Sequence, residues 1–414
     1  MKLLHISDLH LGKSIHGVSL IDQGDQSYWV DQFISLCADI RPDAVLIAGD
    51  VYDRSSPSAE AVSLLDHMLT KIADLQIPVF MIAGNHDSGE KLSFAREILS
   101  RQDIHIVGRL EEELTSITLQ DTYGPLHIWL MPYLFPSLIA QKLEDDSLRD
   151  YETAVRALLD RQNISSTERN VLIAHQNVTA QGQEVERGGS ESMVGGVGQI
   201  DYHTFDAFDY VALGHIHSAY PVGRSEVRYA GSPLYYHFDE LKQKEKGPLL
   251  VEMGAKGQPI HIEPQIIKPL HPMRVISGSW KQVEQEIEAD GRRGEYLRIV
   301  ITDQRISPHI SDKLHALIES RDSILMELVS DYHEHRQIRQ GKSTEEIAEQ
   351  PIEELFEDYY KERMIDKLPC EQERQIMART AVLTRAAIDA GKNDPDEKAI
   401  LALLEYVMRQ EDKR

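Results

Sequence analysis

Short apolar runs alternate with longer stretches whose apolar residues recur every three or four positions. Residues 2–6, 44–48, 79–83, 170–174 and 210–213 are wholly or largely apolar and of strand length, and they predict buried strands. Between the early runs, 28–40 and 59–75 carry the spacing of amphipathic helices. Strands alternating with helices predict an α/β core. Further strands are predicted at 114–119, 126–131, 227–230 and 248–253. They follow one another more closely, so a mixed sheet or a pair of sheets is expected rather than a purely parallel one.

The pattern also divides the chain. The Gly-rich polar stretch 181–199 reads as a long surface loop, the kind of segment that often carries function. Pro264, Pro269 and Pro272 mark a boundary. Beyond it, 273–277, 281–288, 296–301, 311–320 and 324–329 read as strand, helix, strand, helix, strand, enough for a small α/β domain. From about residue 333 the composition changes, and 345–358 holds seven acids and no base. There Ile352, Leu355, Phe356 and Tyr359 still fall on one helical face, while the acids suit its solvated side. A second helix opens at Asp394-Pro395-Asp396-Glu397, a good cap sequence, with the stripe Ile400, Leu403, Leu404, Val407 and Met408. The expected division is 1–265, 270–335 and a helical region 336–414.

Composition narrows the class. The 414 residues are 41% hydrophobic and 27% charged, ordinary for a soluble globular chain, so disordered and collagen-like classes are excluded for its bulk. Apolar runs fall far short of the ~20 residues a membrane helix needs. The opening Met1-Lys2-Leu3-Leu4-His5-Ile6-Ser7-Asp8 meets an acid at once, unlike a secretory signal, and Cys37 and Cys370 give no disulfide framework. A cytoplasmic location is expected. The net charge of −24 argues against broad nucleic-acid binding by this chain alone. Phosphodiester chemistry is still open to it, because bound cations supply local positive charge.

Five motifs carry the candidate chemistry: Asp8-Leu9-His10, Gly49-Asp50-Val51-Tyr52-Asp53, Gly84-Asn85-His86-Asp87, Ala174-His175 and Gly214-His215-Ile216-His217. Each lies just past the C-terminal end of a predicted strand, the edge where open α/β sheets bind ligands. Taken singly, each has an ordinary structural explanation: Asp-x-His is common at strand ends, and Gly-Asn-His-Asp suits a turn. Five together are not what packing alone produces. Asp, His and Asn suit divalent ions such as Mn²⁺, Fe²⁺ or Zn²⁺, and a carboxylate can bridge two of them. Strand alternation would place Asp8 with His10, and His215 with His217, on one side. His5, His16, His203 and His237 read as structural or surface residues.

The order of these motifs resembles the calcineurin-like metallophosphoesterase superfamily and, within it, the double-strand-break repair nuclease family. The resemblance rests on residues 5–12, 48–53, 83–88 and 214–217, with Ala230-Gly231-Ser232-Pro233-Leu234 and Phe238-Asp239-Glu240 narrowing it to the nucleases. It implies a metallophosphoesterase β-sandwich flanked by helices, with a small α/β capping domain and C-terminal helices. It implies two divalent metal ions, most commonly Mn²⁺. The first would be held by Asp8, His10, Asp50 and His217, the second by Asp50, Asn85, His175 and His215, with Asp50 bridging. His86 would stand unligated at the scissile phosphate. Asp53 occupies a position where some relatives carry a histidine, and it is a supporting candidate. Asp87 would either orient His86 or cap a helix.

The resemblance also implies partners: DNA, a coiled-coil ATPase in a two-plus-two assembly, and a second copy of the chain paired through the nuclease domain. The implied activity is 3′→5′ exonuclease on duplex DNA and endonuclease on single strands and hairpins, in DNA repair and recombination. The helices at 352–359 and 400–408 suit either the ATPase or this chain's own core. Two other readings compete: a small-molecule phosphodiesterase acting on cyclic nucleotides, and a non-catalytic scaffold for an ATPase. The added domain and C-terminal helices count against the first, and the complete ligand set against the second.

Overall fold

The computed structural model describes residues 1–180, 198–243 and 246–332. The buried runs form the middles of two six-stranded mixed sheets. In the first, strands lie in the order His261–Pro264, Leu249–Glu252, Lys2–Ile6, Ala44–Ala48, Val79–Ile82 and Ile104–Val107. Its last four run parallel, and its first two pair antiparallel. In the second, the order is Tyr220–Val222, Arg224–Tyr229, Tyr210–Gly214, Arg169–His175, Gly124–Met131 and Thr115–Asp121, with antiparallel pairs at the two edges.

Alternation along each strand explains the layering. Leu3, Leu46, Phe80, Ile128, Ile173 and Ala212 fill the space between the sheets. Leu4, Ile6, Val45 and Ile47 turn outward, against helices Asp25–Ile40 and Ala59–Asp74. Helices Pro136–Leu143 and Tyr151–Asp160 cover the second sheet through Ile139, Val155 and Leu158. The result is the expected helix-flanked sandwich. His5 points into the intersheet layer, where its Nδ1 lies 2.9 Å from the Tyr210 hydroxyl.

The small α/β unit follows as read: strands Met273–Gly278, Tyr296–Ile301 and Ile324–Ser330 form a parallel sheet, with helices Trp280–Ala289 and Pro308–Glu319. It has its own apolar cluster around Ile299, Leu314 and Ile318. Tyr296, Met326, Met273 and Ile324 pack instead on the main core, and residues Met1–His333 form one compact unit. The hydrophobic pattern does not predict strands Ile104–Val107, Tyr220–Val222 and His261–Pro264 or helices Pro136–Leu143 and Tyr151–Asp160. Most of the 181–199 loop and the helices expected within 336–414 lie outside the described residues. No helix among the described residues is long and apolar enough to cross a membrane.

Candidate metal centre

The five motifs meet at one edge of the sandwich. The strands ending at Ile6, Ala48 and Ile82 run parallel in one sheet, and those ending at His175 and Gly214 run parallel in the other. The loops after the first two are zipped together: Asp8 N donates to Gly49 O, His10 N to Asp50 O and Leu11 N to Val51 O. Close contact demands glycine here. A Cβ on Gly49 would strike the His175 ring, and one on Gly84 would strike the Asp50 carboxylate.

This corrects the strand-alternation account of the Asp-x-His and His-x-His spacings. Asp8, His10, Asp50 and His215 lie past their strands with φ of 53°, 41°, 48° and 102°. The turned backbone, not the pleat, aims them inward. Non-glycine residues at positive φ are uncommon and concentrate where surrounding structure imposes them.

Asp50 sits at the centre. Its Oδ2 lies 3.7 Å from His10 Nε2 and 3.3 Å from His175 Nε2. His10 Nε2 in turn lies 3.1 Å from His217 Nε2. On the other side, Asn85 Oδ1 lies 3.1 Å from His175 Nε2 and 3.0 Å from His215 Nδ1. Asp8 Oδ1 accepts from His215 N at 3.0 Å, and Asp8 has donor atoms within 4.8 Å of both the His10–His217 pair and the Asp50–His175 pair. Asp8, His10, Asp50, His175 and His217 are buried, whereas Asn85 is exposed and His86 and His215 are half-buried. The cluster therefore opens to solvent on the Asn85, His86 and His215 side.

The donor set fits a cation. The Ala48 carbonyl, 2.7 Å from His175 Nδ1, accepts that nitrogen's proton, so a neutral His175 presents an Nε2 lone pair. That lone pair faces two oxygens that can only accept. Only a proton or a cation between them reconciles the arrangement. Burial opposes charge on Asp50, but His175 and His10 prevail and hold its carboxyl well below the usual range. Burial likewise opposes charge on His175, yet Asp50 lifts it to about 9. Desolvation and the neighbouring His175 push the half-buried His215 down to about 3.

His86 stands at the mouth. Its backbone N–H donates to Asp50 Oδ1 at 2.9 Å, and its ring packs edge-on against His10 at 4.8 Å between centroids. Its Nδ1 lies 3.0 Å from the carbonyl of Asp53. The Asp53 carboxylate accepts from Lys13 Nζ at 2.8 Å and lies 3.5 Å from His10 Nδ1. Asp87 does neither thing expected of it. Its carboxylate accepts from the backbone N–H of Gly84, Val51 and Tyr52, tying two motif loops together, while Ser88 takes the cap position of the short helix Gly89–Leu92. Burial and neighbouring Asp50 outweigh those three amides and raise Asp87 to about 6.

Glu240 lies in a segment that the sequence singles out, but no local pattern gives it a role. It is fully buried, with Oε1 3.3 Å from His217 Nδ1 and Oε2 2.7 Å from Lys246 Nζ. An acid followed six residues later by a lysine is a weak signal, because nothing local shows that both turn inward.

Residues 1–219 match the family described as calcineurin-like phosphoesterase, and residues 269–364 match the type 5 capsule protein repressor C-terminal domain. The SbcD subunit of the SbcCD nuclease of Staphylococcus epidermidis is 30% identical over 366 residues, covering 87% of this chain and 93% of that protein. A crystal structure of TT1561 of Thermus thermophilus overlays 64% of this chain and 98% of its own, at 14% identity and a TM-score of 0.37.

Proposed function

The chain belongs to the calcineurin-like phosphoesterases and, among them, to the family of SbcD nuclease subunits, and on that premise we propose that it is a metal-dependent DNA nuclease. It acts as a 3′→5′ exonuclease on duplex ends and as an endonuclease on single strands and hairpins. Its partner is a coiled-coil ATPase of SbcC type in a two-plus-two assembly, and two nuclease domains pair with each other. The work is done in the cytoplasm, in DNA repair and recombination. The observation that carries this reading is Asp50, set between His10 and His175 at an edge where five motifs converge.

Asp8, His10, Asp50 and His217 would hold one divalent ion, and Asp50, Asn85, His175 and His215 would hold the other. Two such ions, Mn²⁺ foremost, neutralise phosphate charge and lower the pKa of water when bound. The rest falls to the chain. The Ala48 carbonyl keeps the His175 proton on Nδ1 and so keeps Nε2 turned to the site. The Asp53 carbonyl likewise accepts from His86 Nδ1, which leaves Nε2 for the substrate; as the imidazolium, His86 carries there the proton given to the leaving oxygen, or the positive charge set against the developing one. Residues 1–265 carry this chemistry, 270–335 form a cap that guides duplex to it, and 336–414 dock on the ATPase.

The test is a time course on end-labelled linear duplex with Mn²⁺, comparing the chain with its His86→Ala variant, with and without the ATPase and ATP. Label is released by the native chain, and the variant loses about 100-fold or more, the scale of one general acid. Cleavage of cyclic nucleotides with none of DNA would replace this reading by a small-molecule phosphodiesterase. A stable ATPase complex without Mn²⁺-dependent cleavage would make the chain a scaffold.

A further inference from the structure

Residues 231–243 and Lys246 are not used by the chemistry above, yet Glu240 and Lys246 lie directly behind His217. Glu240 and Lys246 are both buried, at 2% and 7% exposure, which is rare for either residue unless paired. Lys246 Nζ donates to Glu240 Oε2 at 2.7 Å, to Ser232 Oγ at 2.6 Å and to the carbonyl of His217 at 2.9 Å. Glu240 Oε2 also accepts from Tyr236 N at 3.2 Å. Its other oxygen, Oε1, faces His217 Nδ1 at 3.3 Å.

We propose that Glu240, clamped by Lys246, is a positioning residue that sets the tautomer and orientation of His217. A carboxylate offers no proton, so the proton shared with His217 sits on Nδ1. The Nε2 lone pair then points away from Glu240, to where His10 Nε2 lies 3.1 Å off. Burial alone would favour a neutral acid, but the Lys246 ammonium and the Tyr236 amide, both on Oε2, stabilise the carboxylate. Lys246 also grips the His217 backbone, so one cation fixes both the acid and the residue it steers. Partners of this kind behind a metal-binding histidine commonly contribute 10–100-fold in affinity.

The inference rests on the metal reading of the site, and the experiment separates the two. Ring-¹⁵N histidine spectra of the full metal-free chain, with the His217 signal assigned by its loss in His217→Gln, report the tautomer without altering Glu240. The expected state is Nδ1–H; an Nε2–H tautomer overturns the proposal. Free Mn²⁺ is then counted by electron paramagnetic resonance for the native chain and for Glu240→Gln/Lys246→Met, which exchanges the ion pair for neutral groups of similar size. The double variant is expected to fold, with unchanged circular dichroism, and to bind one of two Mn²⁺ about 10-fold or more weakly. Two ions bound at native affinity would overturn the role of Glu240 and leave the metal reading standing. No Mn²⁺ bound by the native chain would overturn both.

Discussion

Asp53 shows how one residue supports two others. Its backbone oxygen orients His86, while its carboxylate reaches both Lys13 and His10 Nδ1. Asp53→Asn keeps the backbone bond and the shape but removes the charge beside His10. We therefore expect Mn²⁺-dependent cleavage to fall about 10-fold, the lower end for lost support of a ligand, with melting temperature nearly unchanged. Asp53→Ala should do no worse to the His86 bond, since that oxygen belongs to the backbone. A far larger loss in Asp53→Ala than in Asp53→Asn would show that the side chain, not the carbonyl, holds His86. All seven ligand candidates and His86 were legible from the sequence, because each sits in a short motif at a strand end. Their supports were less so. Asp87 was expected to orient His86 or cap a helix but binds three backbone amides, and Glu240 meets His217 across 23 residues through a fold that no local pattern displays.

The strands were legible where they are buried on both faces, as Ala44–Ala48 is, since an apolar run without alternation is distinctive. Helix Tyr151–Asp160 passed unread although Asp150 caps it, accepting from Thr153 N at 2.9 Å; its exposed face hides a short apolar stripe. The buried strand Lys2–Ile6 also carries a polar passenger, His5, with a stability consequence that has a definite sign. Burial pushes the His5 imidazole down to about 3 from its ordinary 6.5. The folded state therefore stays neutral while the unfolded chain takes a proton below 6.5, so stability is full above that pH and is lost as pH falls toward 3. The loss approaches about 1.4 kcal/mol per pH unit inside that window. Urea midpoints measured on either side of it should diverge for the native chain. In His5→Phe/Tyr210→Phe, which removes both polar partners together, that share of the divergence should vanish. An unchanged pH dependence in the double variant would show that His5 is not the group responsible.

At the scale of the whole molecule, one polar point among the described residues fastens the small α/β unit to the main core. Asp25, 1% exposed at the start of helix Asp25–Ile40, accepts from the Tyr296 hydroxyl through Oδ2 and lies 3.0 Å from His271 Nδ1 through Oδ1. Around it, among the described residues, Met273, Tyr296, Ile324 and Met326 make the apolar contact with the main core, while the unit's own cluster is separate. The prolines marked this boundary in the sequence, but the fastening joins residues 271 positions apart and was not legible there. Because the unit folds around its own core, loosening the junction should not unfold it. Tyr296→Phe leaves one buried carboxylate oxygen short of a partner, at a cost of about 1–3 kcal/mol. The Asp50 cluster lies on motif loops that Tyr296 does not touch. Hydrolysis of a small chromogenic phosphodiester should therefore stay near the native rate in Tyr296→Phe. Duplex cleavage should fall, because a guiding surface that shifts spoils the approach of a long substrate more than that of a short one, and limited proteolysis should cut first near residues 266–272. If both substrates lose activity in parallel, the junction supports the metal centre itself and the cap does not guide duplex.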